Sequence, residues 1–362
     1  MFTNLFFIKN KNALLPEYAC SVEPIGMQEA YQLDMRDGDK ICINSESCLE
    51  VVHTRLKDGH TKNAIDLLKD KFAFRNALAP LFPDFHFHKT SLCSLENVDR
   101  RSIIKPVRGF FSAGVHELQP NQSLDSIKQK IAADVEKLSC YFPPSVLSSD
   151  DWLVEDYIEG EEISIDMYFN EEGAPVILNI TAHPMPKDLA YLNAVYWTSD
   201  DLMRRWYQQA STFFDYLNKN VLNVTNFPIH GEFRIHNNCL IPIELNPLRF
   251  GGFGLADLAY YGWGINSYDA FFKGEEPNWG DIWQSRQANR FCWVLAYNGK
   301  NIDKTKQKPN HEQFISFCGK ENLLHYRALE WEKQPVFAIA YLSCQGSSTI
   351  DALLSVDFNQ FF

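Results

Sequence analysis

Glu232 and Glu244 stand twelve residues apart, either side of the polar turn His236-Asn237-Asn238, and Asn246-Pro247 closes the second run. Residues 229–235 and 239–245 read as two strands of a hairpin through that turn, a connection that asparagine pairs favour. A hairpin of this span brings the two carboxylates side by side. Glu244 and Asn246, two apart, point to the same face of a strand. Two carboxylates and an amide oxygen on one face are hard donors suited to a divalent cation such as Mg2+, whereas facing acids without a cation repel each other. A wet, purely structural acidic face is the alternative. Ile241, Ile243 and Leu245 argue against it, because they imply a buried strand.

A second stretch with chemistry runs from Lys105 through Pro106, Val107 and Arg108 to a loop with Gly109, Ser112 and Gly114. A lysine ending a strand can pair with phosphate as a point charge. The loop can turn backbone N–H groups and the Ser112 hydroxyl toward phosphate oxygens. A third stretch is Val154-Glu155-Asp156-Tyr157-Ile158-Glu159-Gly160-Glu161-Glu162, an apolar strand that ends in a clustered acidic turn. An adenine lying against it would find edge hydrogen bonds near Tyr157 and Ile158, an acceptor in Glu155 and a ribose partner in Glu162. A solvated acidic hairpin is the alternative for this stretch.

Familiar nucleotide motifs are missing. Gly299-Lys300 and Gly319-Lys320 lack the earlier glycine and the hydroxyl of a P-loop, and Gly252-Phe253-Gly254 runs into Asp257 where a dinucleotide fingerprint needs a small residue. No Ser-His-Asp or Cys-His constellation stands out. His183 and His230 fall near the expected site as substrate contacts. Arg234, on the face of Glu232, can bind a carboxylate or pair with an acid. His86 and His88 share a strand face, which is thin support for a metal site.

The three stretches occur in the order that resembles the ATP-grasp superfamily: a lysine strand with a glycine-rich loop, a valine-glutamate to glycine-x-glutamate hinge, then a glutamate-x-asparagine-proline metal strand. Asp70-Lys71 followed by Arg75 is similar to that family's upstream Asp-Lys helix. The resemblance covers about residues 66–275. It implies an α+β fold of two α+β subdomains clasping ATP, and carboxylate-amine ligase chemistry. By the resemblance, Lys71 and Lys105 contact phosphates, Glu155, Asp156, Tyr157 and Ile158 adenine, and Glu162 ribose. Glu232, Glu244 and Asn246 hold Mg2+, or Mn2+ in its place.

Two departures stand out. Phe111 replaces a loop glycine, and Asn246-Pro247-Leu248-Arg249 carries its arginine one place late, so Arg249 is expected at the transferring phosphate from a shifted position. The implied activity is ATP-dependent: a small-molecule carboxylate becomes an acyl phosphate, with Lys105 and Arg249 stabilising the transferring group, and an amine then attacks. A kinase or carboxylating enzyme of the same fold, or a non-catalytic nucleotide-binding protein, is the rival. Many relatives are dimers, which makes a homodimer an expectation.

The elements that must position these residues follow from periodicity. Ala64, Leu67 and Leu68 mark a helix from Thr61, and Asp70 caps a second short one. Residues 102–106, 152–158, 163–169, 175–180, 291–297 and 335–342 read as strands. Leu124, Ile127, Ile131, Val135 and Leu138 make an amphipathic helix, and Asp200 or Asp201 is expected to cap another. The boundaries expected are an N-terminal α/β unit over 1–65, the nucleotide domain over 66–275 and an appended C-terminal α+β unit over 276–362.

The chain has 362 residues, 34 basic against 46 acidic, for a net charge of −12. That balance disfavours nucleic acid or an anionic membrane as partner. No apolar run approaches the roughly 18 residues of a span. Nine cysteines without a C-x-x-C pair read as reduced thiols. A cytoplasmic protein is the expectation.

Overall fold

The computed structural model describes residues 3–18, 20–108, 114–139, 151–286 and 290–362. The chain forms two compact units, one of residues 1–61 with 160–362 and one of residues 62–159. The first unit opens with a parallel sheet of β1 (Leu5–Lys9), β2 (Pro24–Gly26) and β3 (Lys40–Ile43) in the order β2-β1-β3. Phe7, Ile8, Ile41, Cys42 and Ile43 are fully buried, as the continuous apolar runs of parallel strands require. The Ile43 N–H donates to the Leu248 carbonyl at 2.8 Å and ties this sheet to the end of the hairpin.

The second unit contains most of α1 (His60–Lys69), then α2 (Lys71–Leu78), β4 (Phe87–Thr90), β5 (Ser102–Pro106), β6 (His116–Leu118), α3 (Leu124–Ser139) and β7 (Trp152–Asp156). Its antiparallel sheet runs β4-β7-β5-β6. Strand alternation divides its side chains. Ile104, Leu118, Trp152 and Val154 pack with Ile127 and Ile131 of α3, which leaves Lys105 and Glu155 on the opposite face. Asp70 caps α2 as expected, its carboxylate accepting from the Ala73 N–H at 2.9 Å.

The rest of the first unit is an eight-stranded sheet. Its strands are β8 (Glu161–Phe169), β9 (Pro175–His183), β10 (Val195–Ser199), β11 (Phe227–His236), β12 (Cys239–Pro247), β13 (Arg290–Tyr297), β14 (Leu323–Ala328) and β15 (Val336–Cys344), in the order β12-β11-β8-β9-β10-β13-β15-β14. The helix Asp200–Leu217, α4, covers one face. Its Phe213 and Phe214 meet Phe233 of β11 with ring centroids 5.3 and 5.8 Å apart. Ile163, Ile165 and Met167 of β8 are buried in step with Phe233. Ser199, at the extended end of β10, caps α4 by accepting from the Leu202 N–H. Asp200 and Asp201, expected as the cap, instead fill the first turn, where their charge suits the helix dipole.

The expected boundary at 65 falls inside α1. The C-terminal stretch 276–362, expected as an appended unit, is continuous with the central sheet: β13 pairs with β10 from Val195↔Val294 to Ser199↔Arg290. Phe314, Phe337, Phe358 and Phe361 build a core on β13–β15.

Candidate active site

In the second unit the site side chains gather round one buried carboxylate. Glu155 on β7 receives Arg75 Nε from α2 at 2.6 Å and Lys105 Nζ from β5 at 2.6 Å. The three side chains are only 3–5% exposed. Burial pushes the Glu155 carboxyl up, but Arg75 and then Lys105 outweigh it and bring it down to about 2. Burial lowers the Lys105 ammonium. Glu155 opposes that shift, while Arg75 and Lys71 add to it. Lys71, first residue of the capped helix, therefore lies within electrostatic reach of Lys105. One anion holds two cations, with Lys71 within electrostatic reach of Lys105, and such a cationic cluster attracts a polyanion.

At the expected adenine segment, each Glu155 oxygen receives one cation, Arg75 Nε at Oε2 and Lys105 Nζ at Oε1. The backbone N–H groups of Asp156 and Tyr157 donate to the carbonyls of His86 and Arg101. The Tyr157 ring lies 3.6 Å from the Arg101 guanidinium, and Asp156 Oδ2 meets His86 Nδ1 at 3.1 Å. Ile158 is buried at the end of this run. Ser112, with Gly109 and Phe111 of the expected phosphate loop, lies outside the described residues.

In the first unit, alternation along β11 sends His230, Glu232 and Arg234 to the face opposite α4. Across the hairpin, Glu232 pairs directly with Glu244, and His230 with Asn246, so the four side chains form a block on one face. The turn uses Asn237 and Asn238 at φ 50° and 60°, the left-handed pair that a two-residue hairpin connection requires. A bulge after Glu232 places Pro242 opposite Phe233, which an edge strand tolerates. Burial and then the Glu244 carboxylate raise the Glu232 carboxyl above its ordinary value, with His230 and Arg249 pulling the other way. Two acids that disfavour each other's ionisation, beside an amide, fit a divalent cation by charge and by donor type. Among the described residues no three His, Cys, Asp or Glu side chains converge as a ready-made metal site. The set offered here is two carboxylates and an amide, which leaves coordination positions for phosphate oxygens and water.

Beside this block β8 contributes Glu162 and Asp166. Glu162 Oε1 accepts from His183 Nδ1 at 2.7 Å, and Oε2 from Arg234 Nη2 at 3.3 Å. Burial opposes ionisation of Glu162, but the His183 hydrogen bond and charge, then Arg234, keep its carboxyl below the ordinary range. His183 also reaches the Leu192 carbonyl through Nε2 at 3.0 Å and stacks on Tyr196 at 4.1 Å. Of the two roles open to Arg234, the geometry displays pairing with an acid.

The hinge glycine before Glu162 is obligatory. Gly160 has φ 131°, and a Cβ there would fall 1.8 Å from the Ile235 carbonyl oxygen.

The displaced arginine has a structural solution. Leu248, the extra residue, is buried with φ 60°, and its own N–H donates to the Pro228 carbonyl at 2.8 Å. This left-handed step absorbs one residue, and Arg249 still bears electrostatically on Glu232. Arg249 Nη1 donates to the Phe250 carbonyl at 3.3 Å. The following loop is pinned by Asp166 Oδ1, which accepts from the Gly251 N–H at 2.9 Å, and by Tyr341 Oη, which donates to the Gly254 carbonyl at 2.7 Å.

Sequence reading singled out Arg75 after Asp70-Lys71 but gave it no role, and it missed Asp166 and Tyr196 as members of these clusters. Arg75 is four residues from Lys71, on the same face of a helix, and Asp166 continues the alternation Glu162, Ser164, Asp166. Both signals were therefore available. Tyr196 carried none.

Residues 98–257 match the model of the ATP-grasp domain family. Among solved structures, an L-amino acid ligase from Bacillus licheniformis superposes with a TM-score of 0.65 at 14% identity, over 99% of this chain and 98% of that one. Biotin carboxylase from Campylobacter jejuni gives 0.57 at 12% identity, over 94% and 82%. Carboxyaminoimidazole ribonucleotide synthase from Aspergillus clavatus, complexed with ATP, gives 0.57 at 11% identity, over 92% and 84%. No curated protein matches the chain. Residues 98–257 are an ATP-grasp domain, and the chain has the ATP-grasp fold.

Proposed function

We propose that this chain is an ATP- and Mg2+-dependent ligase that joins a small-molecule carboxylate to an amine. The observation that carries the reading is the direct pairing of Glu232 with Glu244, flanked by Asn246. Two facing acids repel each other, and a divalent cation between them relieves that repulsion with the donor types present. The lysine cluster of the second unit supplies the complementary charge for a triphosphate. In this reading Lys71 and Lys105 bind phosphate oxygens, with Glu155 holding Lys105 in place. Glu232, Glu244 and Asn246 would hold Mg2+, which supplies charge neutralisation at the phosphates. Adenine packs against residues 155–158, Glu162 anchors the ribose side, and Ser112 belongs to the phosphate loop.

A carboxylate oxygen of the substrate attacks the γ-phosphorus, the bond to the β-phosphate oxygen breaks, and ADP leaves. Arg249 and Lys105 stabilise charge on the transferring group. The amine then attacks the acyl carbon of the acyl phosphate, phosphate departs and the ammonium loses its proton to solvent. His183, His230 and Arg234 shape the substrate side of the face. A homodimer in the cytoplasm belongs to the same proposal.

ADP release across a panel of carboxylates and amino acids tests the reading, with Glu244→Ala expected to lose at least about a hundredfold in kcat/KM. A stable phosphorylated product, or dependence on bicarbonate, would move the chemistry to a kinase or a carboxylating enzyme. Undiminished turnover in Glu244→Ala would overturn the cation assignment, and ATP binding without turnover on every acceptor would leave a non-catalytic binder.

A further inference from the structure

The loop Gly251-Gly252-Phe253-Gly254 contains one residue that its own backbone disfavours. Phe253 sits at φ 54°, in the left-handed region that glycine enters freely and that a residue with a Cβ enters only at a cost. Its side chain is 41% exposed, and among the described residues no other phenylalanine is as exposed. A single exposed aromatic means nothing by itself. Here the exposed ring and the unfavourable backbone coincide at one position, where glycine would remove both costs. Strain of this kind persists where the surroundings hold it, and it gathers at functional sites.

The surroundings do hold it. Trp293 Nε1 donates to the Phe253 carbonyl at 3.2 Å, and Tyr341 Oη donates to the Gly254 carbonyl at 2.7 Å. On the other side, Asp166 Oδ1 accepts from the Gly251 N–H and lies 2.7 Å from Nδ1 of His230, the residue paired with Asn246. The loop is thereby tied to the acidic block. It also borders Arg249, since a Cβ on Gly252 would lie 4.0 Å from Nη1. An exposed apolar ring thus stands one residue from backbone that runs beside this guanidinium.

We propose that Phe253 is a specificity-determining residue whose ring contacts an apolar body on the carboxylate substrate. The chain then selects carboxylates that carry an aliphatic or aromatic group over small or charged ones. This rests on the ligase reading, with Arg249 at the reacting end. A charged group at one end and a ring at the other orient such a molecule with its carboxylate toward Arg249. Covering the ring with substrate removes apolar surface from water, which offsets the strained position only when the substrate is bound.

The test measures ADP release by the full-length protein with ATP, Mg2+ and hydroxylamine as the amine. The carboxylates are acetate, aspartate, isocaproate and phenylpropionate, and the wild type is compared with Phe253→Gly and Phe253→Tyr. The wild type is expected to prefer isocaproate and phenylpropionate in kcat/KM. That preference should fall at least about tenfold in Phe253→Gly, mainly through KM, and persist in Phe253→Tyr. The urea midpoint of Phe253→Gly is expected not to fall, because glycine relieves the left-handed strain. Turnover without an apolar preference, or a preference that survives in Phe253→Gly, overturns the proposal and leaves the ligase reading standing. A clear fall in the Phe253→Gly midpoint makes the ring a packing residue and overturns it too. No ADP release with any carboxylate overturns the ligase reading and this proposal together.

Discussion

Glu155 shows how one carboxylate can serve stability and chemistry at once. It is 4% exposed and neutralises two cations that are as deeply buried. Removing one partner of such a cluster leaves uncompensated charge out of water, which costs more than the pair itself contributes. Glu155→Ala is therefore expected to lose about 3–5 kcal/mol of unfolding free energy, measured as a fall in urea midpoint at unchanged slope. A variant with an unmoved midpoint would contradict the buried geometry. Asp257 has the opposite electrostatics. It is 4% exposed, and burial raises its carboxyl to about 7, against the Glu17 N–H and the Arg327 charge that favour ionisation. The folded chain thus keeps a proton that the unfolded chain releases above about pH 4. Its contribution to stability is complete below that pH and is lost as pH rises through 7, on the order of 4 kcal/mol in total. Urea midpoints at pH 5 and pH 8 should therefore differ more in the wild type than in Asp257→Asn, and equal differences would remove Asp257 as the source.

At the scale of elements, the loop after β12 depends on backbone that only glycine adopts comfortably. Gly254 has φ 77°, and a Cβ there would lie 2.6 Å from Tyr341 Oη, the hydroxyl that donates to the Gly254 carbonyl. Gly254→Ala meets both the left-handed strain and this overlap, and should cost about 1–3 kcal/mol. Adding Tyr341→Phe removes the overlapping oxygen, so the double variant is expected to recover part of the loss in a double-mutant cycle. Strict additivity would mean that the strain alone acts. The same loop carries the Gly251 N–H held by Asp166, so the single variant should also lower ADP release.

At the scale of the molecule, the C-terminal third of the first unit completes the central sheet. β13 covers the edge of β10, β15 covers β13, and Trp293 and Tyr341 hold the carbonyls of Phe253 and Gly254. Truncation after residue 275 would expose β10 as an open edge, a template for aggregation, and would release the glycine loop. The truncated chain is expected to be insoluble on expression, while a soluble chain with a native circular dichroism spectrum would show that 276–362 folds apart. Among the described residues no helix is long and apolar enough to cross a membrane.

Local rules settled much of this protein in its sequence. Alternation identified the strands that carry Lys105, Glu155, Glu232 and Glu244, two asparagines identified the hairpin, and Asp70 identified a helix start. These follow from side-chain direction and turn sterics within a few residues. The tertiary structure alone decided which charged groups are tied up. Glu155 meets an arginine eighty residues away, and Glu162 meets Arg234 seventy-two residues away. No short-range rule fixes such pairings, because the fold brings the partners together only when the sheets assemble. The left-handed Leu248 and the joining of β13–β15 to the central sheet belong to the same class, since both answer to hydrogen bonds made by distant chain.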